Sequence, residues 1–285
     1  MTSDYGTPRA DYVVAPCSAT MHLLQLDSWT EAFPRHWHEE WGVAVIRQGT
    51  NRFWYRGAWH NAGPGTIVVV PPGEVHDGGL KKDEVWGERM CYVPVESMAR
   101  ITEAHTGRQQ ELRFSTPVIH DKSLARLLLR VHRTLASGGQ TLDPMEASDC
   151  QISCLGALVE RYGNAPIPDR RDVVPSRIRR ALELLHDDPA QKVTLEELAA
   201  RADLSPYHLI RAFRQHVGLP PHAYLKQLRI TRAQCLLRAG HSIVDAAPAT
   251  GFSDQAHLTR EFRRSIGLTP GRYVDAQPSV TRTRA

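Results

Sequence analysis

Four side chains in the first third of the sequence have the chemistry of a metal centre. His36, His38 and Glu40 alternate, so on an extended strand they share one face. His76 follows in a second segment, Pro71-Pro72-Gly73-Glu74-Val75-His76. Three imidazoles and a carboxylate suit zinc, iron or nickel. A second use competes with this one. Trp37, Trp41, Phe53, Trp54, Tyr55 and Trp59 crowd the same region together with His60. Apolar walls with a few polar anchors are what a small-molecule site requires. His36, His38, Trp54, His60 and His76 are thus candidate contacts to an organic ligand, with His36, His38, Glu40 and His76 as the alternative metal set. The plainest alternative is that the histidines only satisfy backbone groups. No serine or cysteine triad can be assembled by spacing, and no phosphate-cradling glycine loop is present. No catalytic residue and no cofactor is expected.

A different chemistry lies in the last third, in an internal repeat. His208-Leu209-Ile210-Arg211-Ala212-Phe213-Arg214 matches His257-Leu258-Thr259-Arg260-Glu261-Phe262-Arg263, and nine of the 17 positions from 208 to 224 equal their partners 49 residues on. Such a repeat is one supersecondary unit used twice. In the first copy, Leu195 to Ala202 reads as a short amphipathic helix with Thr194 and Glu197 as a capping box. Asp203-Leu204 makes a turn, Ser205 caps the next helix, and Pro206 takes its first position. Leu209 and Phe213 point inward, leaving Tyr207, Ile210, Arg211 and Arg214 outside; Gly218 ends the helix. In the second copy Ser242 precedes a helix from Ile243 to Ala249, Gly251 turns, Ser253 caps, and Asp254 to Ile266 is the second helix. Its outward residues are Gln255, Ala256, Thr259 and Arg260. Gln and Arg suit bidentate contacts to adenine and guanine edges, whereas Arg263 and Arg264 suit phosphates. Helix, tight turn, helix is the arrangement that offers its second helix to the DNA major groove. A long helix, about Pro221 to Ala239, would hold the two readers apart by about one DNA turn, roughly 34 Å. The blander reading is a helical bundle with no DNA role, which the duplicated caps and outward Arg and Gln oppose. His208 and His257 hold equivalent places and suit packing or phosphate contact.

The elements that must position these residues fall into two domains. Up to about residue 97 the pattern is strand-like: WGVAVIRQ, NRFWYRG, TIVVVPP and RMCYVPV are separated by Gly, Pro and Asn turns. Such a series suggests a sandwich or barrel. From about 120 to 162 the pattern is helical. Leu124, Leu127, Leu128, Val131 and Leu135 form one apolar stripe, closed by Ser137-Gly138-Gly139; Ile152, Leu155, Leu158, Val159 and Tyr162 form another. These helices either pack within the domain or join two subunits. Gly163 to Pro175 holds three prolines and four charges and reads as a linker. The expected organisation is a sensor and dimerisation domain over 1–163 (barrel about 10–100, helices about 120–162), a linker over 164–175, an all-α domain over 176–275, and a frayed tail over 276–285.

Charge follows the same division. Residues 176–285 carry 17 Lys and Arg against 10 Asp and Glu, a net of +7, while the first 175 residues carry −3. Only the basic part is suited to a polyanion. There is no run of about 18 apolar residues to cross a membrane and no signal-peptide pattern at Met1. The five cysteines, Cys17, Cys91, Cys150, Cys154 and Cys235, lack a C-x-x-C pair and read as buried free thiols of a cytoplasmic protein. Cys150 and Cys154, four apart, could share one helix face.

Taken together, the S-P-Y-H-L-I-R-A-F-R segment and G-F-S-D-Q-A-H-L-T-R-E-F-R-R with G-L-T-P-G-R-Y resemble the AraC/XylS family of bacterial transcription regulators over about 100 residues. The resemblance implies DNA contacts by Tyr207, Ile210 and Arg211 from the first reader helix and by Gln255, Ala256, Thr259 and Arg260 from the second. Residues 1–163 resemble, less specifically, the family's cupin-like sensor domain. Gly65, Pro71 and His76 fit the second cupin motif, and His36-Trp37-His38 with Gly49 part of the first. Where metal cupins carry a glutamate after the histidine pair, this chain has Gly42 and Val43. Pro248 is another departure, standing where the family has a helix former, and it implies a kinked or shortened helix. The partners implied are double-stranded DNA, a small-molecule effector, a second copy of the chain and RNA polymerase. The implied function is effector-controlled activation of transcription. Two rivals are a DNA-binding factor whose barrel only dimerises and a cupin metalloenzyme fused to a DNA-binding domain.

Overall fold

A computed structural model describes residues 8–15, 21–79, 84–108, 111–136, 144–163 and 174–276. The chain divides into two compact units. One comprises Met1–Ala32 and Trp37–Pro168, the other Phe33–His36 and Asp169–Asp275, each with a few C-terminal residues. Cys17, the Ser137-Gly138-Gly139 stop, the linker up to residue 173 and the tail from 277 lie outside the described residues.

The first unit is built on β1 (Arg9–Val14), β2 (His22–Trp29), β4 (Trp41–Gln48), β7 (Ile67–Val70), β9 (Trp86–Val93) and β10 (Val118–Ile119). They form one six-stranded sheet in the order β1-β2-β9-β4-β7-β10. A second sheet contains β8 (His76–Gly78), β5 (Asn51–Tyr55) and β6 (Ala58–Ala62), in that order. The short strand β3 (Phe33–His36) groups with the other unit. Three helices follow: α1 (Val95–Thr106), α2 (Lys122–Ala136) and α3 (Pro144–Tyr162).

Both faces of the six-stranded sheet are covered, which is why β4 reads as the unbroken apolar run WGVAVI. One face, carrying Leu23, Val43, Val45, Val69, Cys91 and Val93, packs with Leu124, Leu128, Val131 and Leu135 of α2 and Leu155, Leu158 and Val159 of α3. The opposite face carries Leu24, Leu26, Ala44, Ile46, Val68, Val70 and Met90, all buried. At the turn after β4, Gly49 has φ +65°, and a Cβ there would lie 2.0 Å from the Val85 carbonyl oxygen; only glycine fits.

The strand-like pattern does not continue to residue 97, because α1 begins at Val95; its N-cap is Pro94, which offers no side-chain cap to announce it. Ile152 is exposed although its stripe partners Leu155, Leu158 and Val159 are buried. The cysteines are not uniformly buried: Cys91 and Cys154 are, but Cys150 and Cys235 are exposed.

The second unit holds α4 (Ser176–Asp187), α5 (Leu195–Arg201), α6 (Pro206–Val217), α7 (Pro221–Arg238), α8 (Ile243–Ala249), α9 (Gln255–Ile266) and α10 (Pro270–Asp275). The pairs α5–α6 and α8–α9 are its two helix-turn-helix copies. Equivalent cores seat them: Leu209 and Phe213 in one, Leu258 and Phe262 in the other, all fully buried. Each phenylalanine meets a tyrosine edge-to-face, Phe213 with Tyr224 at 5.8 Å and Phe262 with Tyr273 at 5.3 Å.

The helix containing Pro248 is not shortened. It spans seven residues, as does its counterpart α5. Pro248 stands sixth, exposed, and removes only the amide that would have donated to the Val244 carbonyl. The helix end is otherwise secured by Thr250 N–H to Ala246 O at 3.1 Å and Phe252 N–H to Ala247 O at 3.0 Å. Pro248→Ala should therefore stabilise this unit by about 1–3 kcal/mol. A raised midpoint in urea denaturation is the expected result. An unchanged or lower midpoint would mean that the proline's restriction of the unfolded chain outweighs the lost bond.

Candidate functional site

The first reader helix is seated by its caps. Thr194 and Glu197 form a reciprocal capping box, with Thr194 N–H donating to Glu197 Oε2 at 2.8 Å and Glu197 N–H to Thr194 Oγ1 at 3.2 Å. Asp203 turns the chain with φ +54°, a conformation Asp tolerates better than most residues. Ser205 then accepts from His208 N–H at 3.3 Å, with Pro206 at the first helical position. Tyr207 is 73% exposed, Arg211 and Arg214 are exposed, and Ile210 is half-buried.

In the second copy the N-cap is Asp254, not Ser253. Asp254 Oδ1 accepts from His257 N–H at 2.7 Å, and Ser253 instead bonds Asp254 Oδ2 at 2.9 Å. A carboxylate is the stronger partner at a helix N-terminus, where it also meets the positive end of the dipole. Thr194 and Ser242 are offset by 48 residues, but Ser205 and Asp254 by 49. One extra residue, Ser253, lies in the second turn. Gln255, Ala256, Arg260 and Arg263 are exposed on α9, and Thr259 is half-buried.

One residue that the sequence reading passed over joins the copies. Arg229 of α7 donates from Nε to Pro189 O at 2.7 Å, from Nη1 to Gly251 O at 3.0 Å and from Nη2 to Gln191 O at 3.1 Å. It ties the loop before α5 to the turn before α9. Gly251, at φ +82°, permits this, since a Cβ would stand 2.7 Å from Ala190 O and 2.9 Å from the guanidinium.

The histidines of the first unit are not arranged as the alternation suggested. β3 ends at His36 and β4 begins at Trp41, so His38 and Glu40 lie in a connection, not on a strand face. His36 Nδ1 sits 2.8 Å from Pro34 O. His38 and His76 do meet, with ring centroids 4.9 Å apart, and Tyr92 packs on His38 at 5.3 Å. Burial pushes the His38 imidazole down to about 4, so it is neutral near pH 7. Among the described residues no group of three or more His, Cys, Asp or Glu could hold a metal ion. At position 42 a Cβ would stand 2.9 Å from His38 Nε2. A glutamate there would displace His38.

His60 stacks on Phe53 at 5.4 Å and lies on the buried face of its sheet with Phe53 and Tyr55. Trp54 alternates to the other face, opposite Trp59, which is 55% exposed; it does not join His60. Residues that the sequence reading missed lie on the inward face of β9, β2 and β1. Register places His22 beside Tyr92, Leu24 beside Met90 and Leu26 beside Glu88. Tyr12 meets His22 at 5.5 Å. Glu88 is buried, and burial raises its carboxyl to about 8.

Two N-capped reader helices on one compact helical unit, in a chain that also carries a barrel-like β unit, define a DNA-binding transcription regulator. Family models agree on both parts. An AraC-like ligand binding domain matches residues 20–149, and a helix-turn-helix domain matches residues 198–276. The chain belongs to the AraC/XylS family. It is 28% identical over 228 residues to YbfI of Bacillus subtilis, an HTH-type transcriptional regulator, covering 80% of this chain and 82% of that one. It is 26% identical over 234 residues to RhaS of Klebsiella pneumoniae, an HTH-type transcriptional activator, with the same shares covered. Among solved structures, apo ToxT of Vibrio cholerae shares the fold with TM-score 0.53 at 12% identity, over 91% of this chain and 98% of that one. ToxT bound to an unsaturated fatty acid gives 0.51 at 11% identity, over 95% and 98%. These relatives are transcription regulators. No helix among the described residues is long and apolar enough to cross a membrane.

Proposed function

We propose that the chain is an activator working in the cytoplasm, controlled by a small molecule held inside the N-terminal barrel. The observation that carries this reading is the polar set enclosed on the barrel's buried face: His22, His38, His76 and Glu88 among aromatic and aliphatic walls. A core needed only for packing gains nothing from four enclosed polar side chains, whereas a ligand site does. Tyr207, Ile210, Arg211 and Arg214 on α6, and Gln255, Ala256, Thr259, Arg260 and Arg263 on α9, face the DNA. The effector acts by binding one arrangement of the two units better than another. The chain dimerises through its N-terminal unit and contacts RNA polymerase. The activator RhaS and fatty-acid-bound ToxT support the two halves of this reading by family and by fold.

Footprinting on genomic DNA with the full chain, with and without candidate effectors, tests it. The expected result is a protected site whose occupancy or extent changes with one small molecule. Identical protection under every condition, together with no ligand-induced rise in the melting point of the barrel, would leave a DNA-binding factor that does not sense.

A further inference from the structure

Among the described residues, the barrel interior carries one acid that no hydrogen bond or ion pair answers, Arg89 acting on it only from the opposite face. On the sheet face that holds Leu24, Leu26, Ala44, Ile46, Val68, Val70, Met90 and Tyr92, Glu88 is the single acid, placed by register between Leu26 and Ile46. It is 4% exposed. No described residue donates a hydrogen bond to its carboxyl or forms an ion pair with it. Its neighbour Arg89 alternates to the opposite face and is committed there, with Nη2 held by both Asp27 oxygens at 2.9 and 3.0 Å and Nη1 by Leu26 O at 3.0 Å. No lysine or arginine stands at an inward position of β1, β2, β4, β7 or β9. The other titratable groups facing inward are Tyr12, His22 and Tyr92, His38 and His76 from the adjoining connection and β8, and Tyr55 and His60 from the buried face of the second sheet.

A buried carboxyl without a partner costs stability, and a cation would relieve that cost. The alternation of β9 sets Glu88, Met90 and Tyr92 on one face in steps of about 7 Å, so a ligand body extending from Glu88 between Leu26 and Ile46 runs past Met90 toward the Tyr92 ring. Tyr92 meets His38 and Met90 Sδ borders the space above Gly42.

We infer that the barrel's effector is an amine on an aromatic or aliphatic body, its ammonium group paired with the Glu88 carboxylate. This rests on the effector-sensing reading above and names the chemical class that the site accepts. A carboxylate ligand is disfavoured, because no lysine or arginine of β1, β2, β4, β7 or β9 faces inward to receive it. Empty, the carboxyl holds a proton near pH 7, burial having raised it to about 8. Binding forms the pair Glu88-CO2− with R-NH3+, and the carboxyl proton passes to the buffer. Apparent affinity should then rise by up to about tenfold per pH unit below pH 8 and flatten above it.

The test uses the full chain and three matched probes: 2-phenylethylamine, 2-phenylethanol and 3-phenylpropionate. Calorimetry at pH 7 in two buffers of different ionisation enthalpy should show the amine binding at least tenfold tighter than the other two, with release of close to one proton. Glu88→Gln should abolish that preference and the proton release. The variant's melting curve and its retained operator binding establish that it folds. Equal amine binding by wild type and Glu88→Gln overturns the assignment, as does absence of proton release. If the alcohol or the carboxylate binds best and changes the operator footprint, the sensing reading stands and the amine assignment falls. If none of the three binds, the assignment falls as well, and footprinting with other effectors still decides the sensing reading.

Discussion

Replacing Phe262 with alanine is expected to remove about 3–5 kcal/mol from the second unit. Phe262 is fully enclosed, and its ring meets Tyr273 edge-to-face. The cavity cannot be closed by a flexible neighbour, because Tyr273 and Leu258 are themselves fully buried. Domains of this size are stable by roughly 5–15 kcal/mol, so the loss is a large share of the total. Two measurements read it. Urea denaturation should show a lower midpoint, and footprinting should lose the contacts made by α9 before those made by α6. Phe213→Ala is the mirror experiment, emptying the equivalent position against Tyr224. If Phe262→Ala melts like the parent, or loses both sets of contacts together at every temperature, then α8–α9 does not fold around this side chain as a separate reader.

Arg260→Ala is expected to weaken binding to a specific site by about 1–3 kcal/mol, or roughly 5- to 150-fold. Arg260 is exposed on α9, on the face shared with Gln255 and Ala256. It makes no ion pair with a described residue, so its guanidinium is available. Its fork matches the O6 and N7 acceptors of guanine. Binding measured on the specific site and on random DNA, over a range of salt, separates the two possible roles. A base contact is lost mainly on the specific site. A loss of equal size on random DNA, with the salt slope reduced by about 0.9, would make Arg260 a phosphate contact.

The helix-turn-helix half was legible because its signals are local and repeated. Thr194, Glu197, Ser205, Pro206 and Gly218 each act on a neighbour within a turn or two of chain, and the structure uses each as read. Ser253 misled because two adjacent residues, Ser253 and Asp254, both cap well by type; the deciding factor is which backbone amide each reaches. The barrel interior was much less legible. β4 is apolar on both faces, so alternation gives no direction there. Trp54 and Tyr55 are both aromatic, and only pairing with β6 and β8 shows which turns inward. Glu88 carries a charge in a strand, which ordinarily marks the solvent side; its inward place follows only from the register with Leu26 and Ile46. The histidine pair was found, but its third member was not of the set, since the chain leaves β3 before His38.

The extra residue at Ser253 gives the protein a direction. Two copies that differ in turn length, and that present Tyr207, Ile210 and Arg211 on one helix but Gln255, Ala256, Thr259 and Arg260 on the other, cannot be exchanged for each other. A site read by one chain therefore has a head and a tail. Inverting it relative to the start of a gene turns a bound chain around with it.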